Sequence, residues 1–346
     1  MAAPILVTGA TGFIGRRLTR DLAADDPRRV VRVLARCGDK AERLFGGSVE
    51  AVRGGLADAD ALARACAGVE TVYHIAGVYR FGLCHRALVW EANVEGTEAL
   101  LRAAKAAGVA RVVHVSSGGV LRSDTRAMLD EDDFPATPPP FSSYKYSKWH
   151  AERRVLEWAR RGFPVTIASP TCPIGAEDEG PTPTGRIIHD FLAGNFPCYC
   201  RTGLNFIDVG DVSAGLRRVG QAGRAGARYI LGSRNLWLKE FLDLVGEETG
   251  LASPRLRIPQ WMVWAAGGVG EALHALRLAG GEPRVCLETA FFSGRVQFFD
   301  NARTRLELGW EPAADIVPAL REALAWFRRG EASPSAALEP EPAGAR

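Results

Sequence analysis

Tyr144 and Lys148 stand four residues apart in the stretch SSYKYSK (142–148). On a helix that spacing puts both side chains on one face. An ammonium fixed beside a phenol favours the phenolate and lowers the phenol's pKa. Proton exchange with an alcohol oxygen near neutral pH needs such a group. Tyr146 has no equivalent partner, since His150 lies four residues on. Tyr-x-x-x-Lys arises often by chance, so its meaning depends on the elements that would hold the pair.

Those elements are legible along the chain. Short β-branched runs at 4–9, 29–35, 49–54, 71–77, 111–117 and 164–170 alternate with alanine-rich helical stretches such as 15–25, 58–68 and 94–108. Apolar strands in this rhythm predict an α/β fold, a doubly wound parallel sheet with helices on both faces. After Pro170 the rhythm breaks. Residues 173–205 are rich in Gly, Pro and Thr around one helical stretch, RIIHDFLAG, and 206–219 reads as a capped helix returning to the sheet. The expected organisation is a nucleotide-binding domain over 1–170, joined again by 206–225. A smaller α/β substrate-binding domain follows from 171–205 and 226–330. The tail 331–346 has no apolar period and is expected to be disordered.

VTGATGFIGRRL places Gly9, Gly12 and Gly15 between the first strand and its helix, with Thr11, Phe13 and Ile14 among them. The first glycine permits a tight turn, the second a close approach to pyrophosphate and the third close helix packing. The helix N-terminus then meets the phosphates with its positive end. This is the start of a Rossmann-type dinucleotide site. After the second strand the chain reads VLARCGDK. Arg36 stands where an acid would bind the ribose hydroxyls of NAD, and an arginine there suits a 2′-phosphate. NADP(H) is therefore favoured, while Asp39 keeps NAD(H) open.

Composition excludes other classes. A net charge of +3 over 346 residues, with dispersed arginines, is no footprint for nucleic acid. Seven scattered cysteines without paired Cys-x-x-Cys knuckles predict reduced thiols and no metal site. The first residues run into an apolar strand without a charged leader, which carries the expectation of a cytoplasmic protein. The most apolar later stretch, 261–270, is too short to span a bilayer. The wider segment 258–280, apolar with basic flanks, reads either as a helix buried in the second domain, the favoured reading, or as a peripheral membrane contact at the cytoplasmic face.

Taken together, these motifs resemble the extended short-chain dehydrogenase/reductase family over nearly the whole ordered chain. TGATGFIG is similar to its glycine motif, YHIAG (73–77) to its fourth-strand motif and NVEGT (93–97) to the opening of the helix behind the active site. VHVSSGGVL is similar to the strand bearing the catalytic serine, and Tyr144–Lys148 to the catalytic Tyr-x-x-x-Lys. The resemblance implies Tyr144 as general acid/base and Ser117 as hydrogen-bond partner of the substrate oxygen. It implies Lys148 as the group that lowers the tyrosine's pKa and holds the nicotinamide ribose, with Asn93 supporting the lysine. It further implies cofactor contacts from Ala76, Gly77, Ser116, Ser169, Pro170 and Thr171. Many relatives carry Gly-Asp-Leu after the third strand; here Gly55 replaces the aspartate, leaving adenine to Asp58 or to backbone groups. Family habit also carries the expectation of a homodimer.

Within the family the chain looks most like the branch of hopanoid-associated sugar epimerase-like proteins, dihydroflavonol reductases and 3β-hydroxysteroid dehydrogenases. Ser169 stands in SPTCPIG where nucleotide-sugar epimerases typically carry an Asn. Phe191, Phe196, Phe206, Trp237, Trp261 and Trp264 are candidates for an apolar pocket. The leading expectation is therefore a nicotinamide-dependent oxidoreductase interconverting a secondary alcohol and a ketone. Its substrate would be a hydrophobic polycycle, a sterol or hopanoid-type triterpenoid, including 3β-hydroxysterol oxidation coupled to C4 decarboxylation. A nucleotide-sugar epimerase and a non-enzymatic cofactor-binding sensor are the competing readings.

Overall fold

The computed structural model describes residues 2–80, 85–122, 128–140, 142–276 and 285–330, so the tail 331–346 and its expected disorder lie outside the described residues. In chain order the first half reads β1 (Ile5–Thr8), α1 (Phe13–Asp25), β2 (Val31–Ala35), α2 (Gly38–Phe45), β3 (Glu50–Arg53), α3 (Ala59–Cys66), β4 (Thr71–His74), α4 (Arg86–Trp90), α5 (Gly96–Ala106), β5 (Arg111–Val115), α6 (Ser143–Arg160) and β6 (Val165–Pro170). Each strand falls inside the apolar run that announced it. The second half reads β7 (Cys172–Ile174), α7 (Pro183–Leu192), β8 (Cys198–Tyr199), β9 (Gly203–Asp208), α8 (Val209–Ala222), β10 (Arg228–Leu231), β11 (Arg234–Trp237), α9 (Leu238–Thr249), β12 (Leu256–Arg257), α10 (Gln260–Ala275), α11 (Leu287–Phe292), α12 (Ala302–Leu308) and α13 (Val317–Arg328).

Seven strands form one parallel sheet in the order β10-β6-β5-β4-β1-β2-β3. Because the central strands β1, β4, β5 and β6 are buried on both faces, each face needs its own apolar layer. Leu18 and Leu22 of α1 with Leu216 and Val219 of α8 supply one. Leu62 of α3, Leu100 and Leu101 of α5 and Val155 of α6 supply the other. The strand order reverses between β1 and β4, which opens a crevice at the carboxyl ends of those strands.

The second lobe departs from the sequence reading in three places. Residues 206–219 are not one helix: β9 ends at Asp208, whose carboxylate accepts from the Gly210 amide at 2.7 Å and starts α8. Thus β9 belongs to a small sheet, β11-β9-β7, while α8 packs on α1 under the main sheet. Residues 228–231, grouped by sequence with the substrate domain, form β10 at the edge of the main sheet beside β6. The small sheet is buried by α7, α9 and α13 through Ile188, Phe241 and Leu320, with Phe206 stacked on Phe241 at 4.0 Å.

The third departure is α10. Sequence favoured a buried helix, but the stripe Trp261, Met262, Ala265, Ala266, Val269, Ala272, Leu273 and Leu276 faces outward, with Trp261 67% exposed. Gly267 explains the packing that α10 does have: a Cβ there would lie 2.8 Å from the Cys286 carbonyl, so the helix rests on the start of α11 through a glycine. No helix among the described residues is long and apolar enough to cross a membrane.

A buried ion pair fastens β10 to α6. Arg228 donates to Glu152 through Nε (2.6 Å) and Nη2, and Glu152 also accepts from the Ser116 hydroxyl. Both partners are nearly inaccessible. Removing one member of such a pair leaves an uncompensated buried charge. Arg228→Met is therefore expected to lower stability by about 3–5 kcal/mol, read as a lower urea midpoint; an unchanged midpoint would show the pair to be energetically idle.

Candidate active site

The glycine turn after β1 is built for close approach. Gly9 has φ +74°, and a Cβ there would lie 2.5 Å from the Ala76 nitrogen. A Cβ on Gly15 would lie 2.1 Å from the Gly9 carbonyl oxygen, so no side chain fits between turn and helix. Gly12 occupies the N-cap of α1 and offers no capping side chain, leaving the first helical N–H groups open toward the crevice. Thr11, Phe13 and Ile14 line the crevice with these glycines, and Ala76 and Gly77 form its opposite wall. A glycine cradle that a Cβ would fill, facing an uncapped helix start, fits a dinucleotide pyrophosphate.

At the adenine end, Arg36 is exposed, and its side chain runs alongside Gly55 (Arg36 Cγ 3.6 Å from the Cβ position). It makes no hydrogen bond or ion pair among the described residues. Lys40, by contrast, is spent on Glu179 at 2.9 Å, and Arg16 holds the same carboxylate at 2.6 Å. Asp58 does not join the wall: its carboxylate accepts from the Ala61 amide at 2.9 Å and caps α3.

At the other end stands the start of α6. Ser142 caps it, accepting from the Lys145 amide at 2.9 Å while its hydroxyl donates to the buried carboxylate of Glu288. Tyr144 and Lys148 both line the crevice beside Ser117. Lys148 Nζ donates to the Val115 carbonyl at 2.9 Å, and burial brings its pKa down to about 8 against the pull of Glu152. Burial dominates at Tyr144 and holds the phenol well above its ordinary range; the Ser117 hydroxyl, donating to it, pulls the other way, and Glu288 adds to the rise. The lowering expected from Lys148 is not what governs the phenol here: burial does, because a phenolate shut away from water costs more than the Ser117 hydroxyl returns.

Asn93 is wholly employed. Its Oδ1 accepts from the Val78 amide at 2.7 Å, and its Nδ2 donates to the Val78 carbonyl and to Ser147 Oγ at 2.9 Å. It bolts the segment after β4 to α6, with Gly77 between it and Lys148. Ser116 contributes its hydroxyl to Glu152, as above, while Pro170 and Thr171 form the floor, Thr171 donating to Asn205 at 2.8 Å. Ser169 is fully buried behind them. Tyr79 was not singled out by the sequence, yet its ring lies 3.9 Å from that of Tyr144. Nothing in its spacing marks it; it arrives through the backbone course after β4.

Cradle and catalytic cluster open onto one continuous cleft of about 1820 Å³. A site for one small molecule usually takes roughly 300–1,000 Å³, so a second ligand fits beside a dinucleotide. Of the aromatics named from sequence, Phe196 lines the cleft, whereas Phe191 and Phe206 are core and Trp261 faces outward. Trp237 packs against Phe298, and Trp264 is half-buried. The apolar wall comes instead from Ile187, Leu204, Leu238, Ile258, Val263 and Phe292.

Residues 5–232 match the profile described as "NAD dependent epimerase/dehydratase family". The chain is 35% identical over 335 residues to a putative dihydroflavonol 4-reductase of Synechocystis sp., covering 95% of each. It is 31% identical to sterol demethylase protein B of Methylococcus capsulatus, covering 93% of this chain and 98% of that one. Among solved structures, gox2253 superposes with a TM-score of 0.81 at 36% identity, covering 96% of this chain and all of the other.

Proposed function

Because the chain belongs to the NAD-dependent epimerase/dehydratase family and is an oxidoreductase of CH–OH groups, we propose that it oxidises the secondary alcohol of a polycyclic lipid of sterol or hopanoid type. The observation that carries this reading is the continuity of the cleft: Ser117, Tyr144 and Lys148 stand where the dinucleotide cradle gives way to an apolar wall. The similarity to a sterol demethylase protein supports it.

In the forward direction Ser117 holds the substrate hydroxyl and Tyr144 takes its proton as general base. A dinucleotide held by the glycine turn 9–15 and the wall of Ala76 and Gly77 would supply the hydride acceptor for the same carbon. Lys148 keeps positive charge behind Tyr144 as the proton moves. Where the substrate carries a carboxylate on the adjacent carbon, the new ketone is an electron sink for that group. The bond to the carboxylate breaks, its electron pair forms the enolate of the ketone, carbon dioxide leaves, and the carbon then takes up a proton. Tyr144, now protonated, donates to the enolate oxygen. No further oxidant or reductant is needed. The uncommitted Arg36 guanidinium supports a preference for NADP(H) over NAD(H), since a 2′-phosphate supplies the anion it lacks.

The outward face of α10 supports delivery from a lipid surface. Its apolar stripe is preceded by exposed Arg255 and Arg257, which suit anionic headgroups, while Val263 on the same helix lines the cleft. In vesicle flotation the protein is expected to rise with phosphatidylcholine vesicles containing phosphatidylglycerol, and Trp261→Ser with Val269→Ser to remain below. Failure of the unaltered protein to float with these vesicles would remove this part of the reading.

The catalytic reading is tested by following NAD(P)H absorbance with 3β-hydroxysterols, their 4-carboxy derivatives, hopanoid alcohols and nucleotide sugars. Stoichiometric reduction with a polycyclic alcohol is expected, slowed about 10²–10⁴-fold in Tyr144→Phe with dinucleotide affinity retained. A changed sugar stereocentre without net NAD(P)H would overturn it in favour of an epimerase.

A further inference from the structure

Lys145, one residue past the catalytic tyrosine, is 1% exposed, yet among the described residues its Nζ has neither a hydrogen-bond acceptor nor a carboxylate within ion-pair distance. A buried ammonium in that condition is costly. What it touches is aromatic: Nζ sits 3.8 Å from the centre of the Phe292 ring and 5.9 Å from that of Phe291. The carboxylate that acts on it is that of Glu288, which also accepts from the Ser142 hydroxyl. Arg295 acts on Lys145 from the other side, and the Cys172 thiol faces it from β7.

The place of this ammonium is informative. A Cβ built on Gly119 would lie 3.9 Å from Lys145 Nζ and 3.2 Å from Ser117 Oγ. Gly119 and Phe292 both line the cleft. Gly119 thus stands at the cleft wall between the ammonium and the serine that holds the reacting oxygen, close to both.

We propose that Lys145 receives a carboxylate carried by the substrate on the carbon next to its reacting hydroxyl, making the enzyme selective for polycyclic β-hydroxy acids over the matching neutral alcohols. This rests on the function proposed above and names its substrate class. Ser117 and Tyr144 take the hydroxyl while Lys145 takes the carboxylate, so two adjacent groups fix the ring system's orientation. Oxidation then places the ketone beside a carboxylate already held.

The charge state gives a pH signature. Burial, reinforced by Arg295 and opposed by Glu288, brings Lys145 down to about 7. Below that pH the free enzyme carries the ammonium and binds the acid without taking a proton. Above it, binding must draw a proton from solution, so affinity for the acid falls about tenfold per pH unit until the complex itself titrates.

The test compares a 4-carboxy-3β-hydroxysterol with its methyl ester on the full-length protein with NADP and with NAD. The unaltered enzyme is expected to favour the acid by about 10–100-fold in kcat/KM, the worth of one charge-assisted hydrogen bond. That advantage should shrink above pH 7. In Lys145→Met the ratio of acid to ester should collapse toward one, chiefly through KM for the acid, and Lys145→Arg should restore part of it. The comparison and its pH profile on the unaltered enzyme need no variant to fold. Equal use of acid and ester, or equal losses for both in Lys145→Met, would overturn the proposal while leaving sterol oxidation standing. No turnover of either sterol would overturn the functional reading and this proposal with it.

Discussion

Everything in the site depends on the first two turns of α6 burying polar groups at the edge of the sheet. Tyr144, Lys145, Ser147, Lys148 and Glu152 are all nearly inaccessible on one helix. Such burial is tolerable only where each group has a fixed partner. Lys148 has the Val115 carbonyl, Ser147 has Asn93, Glu152 has Arg228 and Ser116, and the helix start has Glu288 through Ser142. These partners come from β5, β10, α11 and the turn before α5, so the helix cannot shift without breaking several of them. The position of the phenol is set by that network rather than by its own contacts. Lys145, the member without such a partner among the described residues, is the one that points to a ligand.

The same economy governs the cradle. Gly9 and Gly15 bring two backbones closer than any side chain allows, and the gain is an open helix start facing the crevice. The two lobes meet over it. The main sheet supplies the dinucleotide wall and the proton-transfer groups, while α7, α10 and α11 supply apolar side chains through Ile187, Val263 and Phe292. The chain crosses between lobes at Asp208, where one carboxylate ends a strand of the small sheet and begins a helix of the large one.

Much of this could be read from the sequence because it rests on local rules. Six strands of the main sheet, the glycine turn and the Tyr144–Lys148 spacing all follow from periodicity, backbone conformation and helix geometry. What escaped depends on distant partners. Residues 203–208 look like the lead-in to a helix, and only pairing with β7 and β11 makes them a strand. Residues 228–231 follow a break in rhythm, and only β6 places them in the main sheet. Asp58, read from sequence as a residue for the adenine, caps α3 through the Ala61 amide. The apolar segment 258–280 reads as a buried helix from sequence, but the outward face of α10 depends on where α11 lies. Lys145 is an unremarkable lysine in the motif until Phe292 and Gly119 close around it.

The most direct test of the account is isotopic. A 3β-hydroxysterol bearing deuterium on the carbinol carbon is incubated with the enzyme and oxidised NADP or NAD, and both products are examined by mass spectrometry. The account predicts one deuterium in the reduced nicotinamide for each ketone formed, with neither product appearing in Tyr144→Phe over the same interval. Deuterium retained on, or returned to, the substrate carbon, with no labelled reduced cofactor, would contradict it.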